Sequence, residues 1–162
     1  MAWSFSMYDF QERLAAGSMV EQWLDTYFEP WFRIKAANRR EQRLGIDRWF
    51  LELVGSNRWA VEYKADWAAI RTRNVFIETI SVDAERIPGW AYTSQADWLV
   101  YVLPETRRVY SVRMARLRGQ LEAWSQRYPT RAIPNRSYHT HGLLVPLHIF
   151  KRLVEPLAPQ NA

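Results

Sequence analysis

Residues 44–66 read LGIDRWFLELVGSNRWAVEYKAD and decide the fold expected for this chain, because they predict a β-hairpin. Two segments rich in aromatic and aliphatic residues, 46–54 and 58–64, flank the turn sequence GSN. Side chains alternate between the two faces of a strand, so Glu62 and Lys64 share one face, about 7 Å apart along the strand. The hairpin therefore presents an acid and a base side by side.

The remaining elements follow from the same kinds of pattern. Ser18 and Glu21 have the spacing of a capping box, which predicts a helix start there, and Pro30 predicts its kink or end. Residues 31–43 are expected to continue as helix or irregular chain. Further expectations are strands at 74–81, 98–103 and 107–112, a helical turn at 93–97, a helix at 114–127, a loop at 129–137, a strand ending at 145 and a last helix from 146 to about 157. The sequence thus predicts a single α+β domain over residues 1–162.

Composition narrows the class of protein. The 162 residues are 48% hydrophobic, which suffices for one domain with a core. The absence of cysteine excludes disulfides and thiolate chemistry. No apolar run reaches the roughly 18–20 residues of a membrane span, and the N-terminus lacks a secretory pattern. We therefore expect a cytoplasmic protein that does not enter a membrane.

The charge indicates a polyanionic partner. The net charge is +5, and arginine accounts for nineteen of the 22 basic residues. The planar guanidinium group suits phosphate, although the codons of a GC-rich genome would also enrich arginine. A basic segment directly precedes the hairpin. Its candidate contacts to nucleic acid are Arg33, Lys35, Arg39, Arg40 and Arg43.

The hairpin also predicts a metal site. With the turn centred near Ser56, Asp47 lies near the far end of the first strand, roughly level with Lys64. The carboxylates of Asp47 and Glu62 are hard oxygen ligands suited to Mg²⁺, and the carbonyl of Tyr63 would add a third oxygen. Lys64 would orient or deprotonate the attacking water and balance phosphate charge.

An aspartate, a hairpin and then Glu-x-Lys resembles the pattern of the PD-(D/E)XK nuclease superfamily. The pattern reads Gly45-Ile46-Asp47 followed by Val61-Glu62-Tyr63-Lys64, with Ile46 in place of the usual proline. The resemblance covers about residues 18–103. It implies a restriction-endonuclease-like core, a mixed central sheet flanked by helices in the order αβββαβ. It further implies a metal-dependent DNA endonuclease or resolvase, with Mg²⁺ as cofactor, Mn²⁺ as a substitute, and a homodimer as the assembly.

The same resemblance extends the candidate site. The family places an acid on the helix before the sheet, for which Glu21 is the first choice and Glu29 the second, both as an aid to catalysis and as a metal ligand. In resolvase-like members a polar residue after the lysine strand touches the site, and Gln95 is the candidate here.

Alternatives remain open for most of these residues. Glu62 and Lys64 are also what a solvated edge strand would carry, and Glu21 is explained by helix capping alone. Glu78 shares strand parity with apolar neighbours and could pair with an arginine. His139 and His141 could hold Zn²⁺, but no acid or cysteine close in sequence completes a ligand set, which favours surface histidines. The alternative function is a nucleic-acid-binding or assembly protein without catalysis.

Overall fold

The computed structural model describes the backbone of residues 7–157 and the side chains of residues 16–157. The helices in this range are α1 (Met7–Phe28), α2 (Arg39–Arg43), α3 (Ala69–Thr72), α4 (Trp90–Thr93), α5 (Met114–Arg127) and α6 (Leu147–Phe150). The strands are β1 (Phe32–Ala36), β2 (Arg48–Glu52), β3 (Arg58–Ala65), β4 (Asn74–Val82), β5 (Ile87–Pro88), β6 (Trp98–Leu103), β7 (Arg108–Arg113), β8 (Thr130–Pro134) and β9 (His139–Pro146). Short 3-10 helices occupy Pro104–Thr106 and Lys151–Leu153.

The strands form two sheets. The first has the order β1-β2-β3-β6-β7 and is mixed, because β3 and β6 run parallel while the other pairs are antiparallel. The second has the order β5-β4-β9-β8 and is antiparallel. The predicted α+β class, with a mixed sheet flanked by helices, is confirmed.

Helix α1 differs from its prediction at the start. It runs without interruption from Met7, so Ser18 lies inside the helix and is not its N-cap. In the part of the helix after Ser18, Leu24 and Phe28 are buried against the first sheet. The helix ends at Phe28, before Pro30, as predicted.

Residues 31–43 are not a continuation of the helix. They form strand β1 and the short helix α2. The capping box lies here: the N–H of Glu41 donates to Asn38 Oδ1 at 3.0 Å, and the N–H of Asn38 donates to Glu41 Oε2 at 2.8 Å. In β1, Phe32 and Ile34 pack toward α1, which turns the intervening Arg33 to the opposite face.

The hairpin forms as predicted, with a shifted register. Arg48 lies opposite Val61, so Asp47 is level with Glu62 rather than with Lys64. The difference arises because the turn is wider than three residues and is not centred on Ser56. Asn57 donates its side-chain amide to Glu52 Oε1 at 3.1 Å, and Gly55 adopts a left-handed φ of 119°, a conformation that glycine tolerates.

Other elements confirm or correct their predictions. The strand at 98–103, its antiparallel neighbour and the helix at 114–127 are confirmed as β6, β7 and α5. Strand β4 forms but belongs to the second sheet. The helical turn expected at 93–97 occurs earlier as α4, the expected loop at 129–137 contains β8, and the last helix is shorter than predicted.

Two main cores position the candidate site. One lies between α1 and one face of the first sheet, and includes Phe50, Val61 and Val100. The other lies on the opposite face, where α5 and the second sheet pack on β6 and β7 and bury Leu99 and Leu117. The layer formed by α5 and the second sheet lies over β6 and β7 and borders β3. The part of that face formed by β1, β2 and β3 carries only a small cluster centred on Ala37, Ile46 and Ala60.

Candidate functional site

Glu62 and Lys64 lie together on β3, the middle strand of the first sheet. The neighbouring Val61 and Tyr63 pack toward α1, so the two charged side chains face the other way, as predicted. Lys64 Nζ lies 2.7 Å from Glu62 Oε1. Only 3% of Glu62 is exposed, and β3 is paired on both sides by β2 and β6. The alternative of a solvated edge strand is therefore wrong.

One oxygen of the Glu62 carboxylate is left without a partner. Within the described residues, Oε2 is buried and accepts no hydrogen bond. The hydroxyl of Ser94 lies within reach of both this carboxylate and the carbonyl of Gly45, 3.0 Å away, and its single proton can be donated to only one of them at a time. Burial raises the pKa of Glu62, the Lys64 ammonium and the Ser94 hydroxyl oppose part of that rise, and the nearby charge of Asp47 adds to it. A second positive charge near Oε2 would stabilise the ionised form of this buried carboxylate.

Asp47 directly precedes β2 and contacts β3. Its Oδ2 accepts the backbone N–H of Tyr63 at 2.8 Å. Strand β2 begins at Arg48, opposite Val61, so no residue of β2 lies opposite Tyr63 and the carboxylate of Asp47 takes that place in the ladder. The N–H and C=O of one strand residue point to the same side, so the carbonyl of Tyr63 is directed toward Asp47.

A third acid, Glu78, approaches Lys64 from the second sheet. Its Oε1 accepts the backbone N–H of Trp90 at 3.3 Å. Burial raises the pKa of Glu78, whereas this hydrogen bond and the charge of Lys64 lower it. Lys64 Nζ also lies 5.7 Å from the centre of the Trp90 ring. Strand parity marked Glu78 as unusual, but no local pattern indicated that β4 would approach β3.

Glu21 is not brought to this group. Its Oε2 lies 3.1 Å from Arg48 Nη2, on the face of the sheet that packs against α1. Arg48 also binds Asp25 at 2.9 Å, and Asp25 accepts the hydroxyl of Tyr63 at 3.0 Å. The helix acids thus satisfy a buried arginine across the sheet from Glu62. Glu29, the second choice, follows the end of α1 and is exposed.

Gln95 lies near the site through its backbone alone. Its N–H donates to the carbonyl of Leu44 at 2.8 Å and its side chain is exposed. The preceding Ser94 is 2% exposed and is the polar side chain beside Glu62. The guanidinium of Arg118 binds the Ser94 carbonyl and fixes this segment. The sequence prediction was thus displaced by one residue, and the N-terminal neighbour was missed.

The predicted basic residues are all exposed, and two of them share the face of Glu62. Arg33 and Lys35 alternate with the residues of β1 that pack on α1 and so point away from that helix. The other three lie on α2, in the connection that leads to Asp47: Arg39, Arg40 and Arg43.

The two histidines of β9 contact one acid, Asp83, which is remote from them in sequence. His141 Nε2 lies 3.2 Å and His139 Nδ1 3.5 Å from Asp83 Oδ2. The backbone N–H of His139 donates to Asp83 Oδ1 at 2.9 Å. These hydrogen bonds, that of the His139 backbone first, lower the pKa of Asp83 to about 2. The cluster ties the end of β4 to β9.

Clusters of side chains that could ligate a metal ion are the next feature of the site. Among the residues that the structure describes, no set of three or more histidine, aspartate or glutamate side chains is arranged to hold a metal ion. Mg²⁺ does not require such a set, since it is commonly held by one or two carboxylates, waters and a substrate phosphate. Asp47, Glu62 with its unpartnered oxygen, and the Tyr63 carbonyl fit that donor set.

Comparisons with protein-family models, curated proteins and solved structures found no match for the chain. Within residues 7–157, none of the helices combines the length and apolar character needed to span a membrane.

Proposed function

We propose that this chain is a metal-dependent nuclease that hydrolyses DNA phosphodiester bonds, with Asp47, Glu62 and Lys64 as its central residues. The observation that carries the proposal is the buried Glu62 carboxylate with one oxygen unpartnered in the described part of the chain. Burying a charged group without full pairing costs free energy, and perturbed carboxylates of this kind cluster at functional sites. A bound cation would offset that cost.

The carboxylates of Asp47 and Glu62 and the carbonyl of Tyr63 would hold Mg²⁺ or Mn²⁺. When bound, the ion polarises the scissile phosphate and makes water a better nucleophile at neutral pH. Lys64 lies 2.7 Å from Glu62, where its ammonium can donate hydrogen bonds to a phosphate oxygen or to the attacking water. In the hydrolysis a new P–O bond to water forms, the P–O bond to the leaving group breaks, and the leaving oxygen takes a proton.

The order of elements supports the finer assignment to a restriction-endonuclease-like core. Helix α1, the antiparallel strands β1, β2 and β3, helix α4 and the parallel strand β6 occur in the αβββαβ order, with α2 inserted after β1 and with α3, β4 and β5 inserted after β3. The third of these core strands is β3, since β1 supplies the strand that the sequence left undetected. The insertion between β3 and α4 contributes β4 and with it Glu78.

A homodimer is part of the proposal. Cleavage of both strands of a duplex calls for two active centres, and one subunit carries a single Glu-x-Lys hairpin. Two copies related by a two-fold axis would supply both centres.

A second function, nucleic-acid binding without cleavage, is favoured by a different observation. Lys64 is already engaged by Glu62, and Glu78 adds a further carboxylate nearby, so the ion pair could serve stability alone. This function requires only the exposed cations of β1 and α2. It predicts salt-sensitive DNA binding that persists in EDTA, with no cleavage by any divalent ion.

Cleavage assays separate the two functions. Supercoiled, linear and branched DNA would be incubated with the full chain in Mg²⁺, Mn²⁺ or EDTA. We expect cleavage in Mg²⁺ and Mn²⁺ that EDTA abolishes, and a loss of at least about a hundredfold in Lys64→Ala and Asp47→Ala.

Lys151→Ala is the matched control, because Lys151 is exposed and lies on the 3-10 helix after α6. Its activity should equal that of the wild type. Full activity in Lys64→Ala or Asp47→Ala would contradict the proposal, as would a complete absence of cleavage in a folded wild-type protein across these substrates and ions.

A further inference from the structure

The face of β1, β2 and the start of β3 that points away from α1 is exposed at Arg33, Lys35 and Arg58. Lys35 lies opposite Trp49, and Trp49 lies opposite Ala60. Residues directly opposite in an antiparallel pair share one face. Ala60 has the same strand parity as Glu62, so the candidate site lies on the same side of the sheet, beyond the buried Ala60. We call the exposed face of β1, β2 and the start of β3 the open face.

A shallow cleft lies on the open face. Its volume is about 270 Å³, just under the roughly 300–1,000 Å³ of typical small-molecule sites, which leaves room for one planar group. The residues that line it are Lys35, Ala36, Asn38, Glu41, Trp49, Leu51 and Arg58. Trp49 packs with one side on the cluster of Ala37, Ile46 and Ala60. Arg58 lies over the Trp49 ring, 4.7 Å from its centre.

The charge of the open face is positive. Arg33, Lys35 and Arg58 are exposed, and no salt bridge within residues 16–157 involves any of them. The one acid in the cleft, Glu41, already accepts the N–H of Asn38. An aromatic ring beside unpaired cations is the combination by which proteins bind single-stranded nucleic acid, since the base stacks and the phosphates meet the cations.

We propose that this cleft binds one unpaired nucleotide of single-stranded DNA, whose base replaces the exposed Arg58 guanidinium over the Trp49 ring and whose phosphate is bound by Lys35 and the displaced Arg58. A base within a duplex has both faces covered by its neighbours, so the cleft selects DNA with a single-stranded segment. Ala60, opposite Trp49, precedes Glu62 by two residues, or about 7 Å along the strand. The nucleotide therefore lies beside the scissile position. The inference rests on the proposed nuclease function only in this last step.

Fluorescence anisotropy tests the proposal without cleavage. A fluorescein-labelled 15-mer of deoxythymidine and a labelled duplex of equal length would be titrated with the full chain in EDTA at fixed salt. We expect Trp49→Ala to weaken binding of the single strand about tenfold, in line with the loss of one base–aromatic stack, and to change duplex binding less than about twofold. Trp67→Ala is the control, because Trp67 is 51% exposed outside the open face, and it should leave both affinities unchanged.

Two further variants keep the test decisive if Trp49→Ala fails to fold. Trp49→Phe keeps an aromatic ring and should retain most of the affinity. Arg58→Ala removes an exposed side chain and should weaken single-strand binding several-fold, whereas Arg108→Ala, exposed on β7, should not.

Equal affinities for the single strand in Trp49→Ala and Trp67→Ala, or an equal loss for single strand and duplex, would overturn the proposal. So would full competition by polyglutamate at matched charge, which would indicate an acidic peptide in place of a base.

Binding that depends on Trp49 without cleavage in Mg²⁺ would leave this inference standing and contradict the nuclease. Cleavage that depends on Lys64 but is unaffected in rate, KM and single-strand affinity by Trp49→Ala would contradict this inference alone.

Discussion

At the scale of single residues, the carboxylate of Glu62 is held in a position that disfavours its charge. It is 3% exposed, and its pKa is raised by burial in spite of the adjacent Lys64 ammonium. Functional sites commonly retain such groups at a cost in stability. The effect of this buried charge on the free energy of unfolding can be measured.

Glu62→Gln should therefore stabilise the protein. Because the folded pKa lies above the unfolded one, the ionised group destabilises the fold at pH values above the folded pKa, and this effect vanishes as the pH falls below the unfolded pKa of about 4.3. At pH 8 the variant should be more stable by about 1–2 kcal/mol, the scale of an unsatisfied buried polar group. Thermal melts at pH 8 and at pH 4 would show a gain in Tm at the first pH and little difference at the second.

Glu155→Gln is the control, with the opposite sign. Hydrogen bonds from Arg116 and Arg113 lower the pKa of Glu155, so its charge adds stability above the unfolded pKa that is lost as the pH falls through the folded pKa. A lower Tm at pH 8 is expected for this variant. A destabilised Glu62→Gln at pH 8 would show that the ion pair with Lys64 outweighs the burial of the charge.

At the scale of elements, Arg48 ties α1 to the first sheet. It is 9% exposed, binds Asp25 and Glu21 on the helix, and donates to the carbonyl of Asp47 at 3.0 Å. The same residue therefore anchors the helix and the backbone at the entrance of the candidate site.

Arg48→Met should destabilise the protein by about 1–3 kcal/mol, because it leaves Asp25 without its cation in a partly buried position. Urea unfolding measures this change. Arg116→Met, which breaks an exposed pair with Glu155, should cost less than about 1 kcal/mol. Equal losses in the two variants would contradict the anchoring role of Arg48.

Sequence patterns predicted those elements whose signals are local. The fully buried run of β6 and the apolar spacing of Leu117 and Leu121 in α5 gave the correct bounds. Strand β1 alternates between apolar and basic residues over only four positions, and β8 is exposed throughout, so neither gives a strong strand signal. The break expected at Ser18 does not occur, because a local capping pattern does not show whether the residues before it are also helical.

The candidate site was predictable in part for the same reason. Glu62 and Lys64 were correctly placed together because strand periodicity is local. The approach of Glu78 and the engagement of Glu21 by Arg48 depend on how separate elements pack, which the spacing of residues along the chain does not encode.

At the scale of the whole molecule, the site lies where the two sheets meet. Lys64 comes from the first sheet, Glu78 from the second, and Trp90 from the helix between them. The open face leads from this junction across β2 to β1, and its cations are spread along that path. The net charge of +5 is thus accompanied by a local arrangement suited to a phosphate backbone.

The salt dependence of DNA affinity should show whether the bound strand contacts the cations of the open face. Each phosphate contact that is lost reduces the slope of log K against log salt concentration by about 0.7 for a single strand. We expect Arg33→Ala and Lys35→Ala each to lower the slope by that amount in anisotropy titrations between low and moderate salt. An unchanged slope in both variants would mean that the bound strand does not cross β1.

In the proposed site, Asp47, Glu62 and the Tyr63 carbonyl bind one metal ion. Anomalous diffraction from crystals of the full chain, grown with Mn²⁺ and a short single-stranded DNA, tests this binding. The predicted result is a manganese peak in contact with both carboxylates and the carbonyl, with a DNA phosphate on its open side, and no such peak in Glu62→Gln. A peak elsewhere, for example between His139 and His141, together with no manganese at Glu62, would contradict the proposed site.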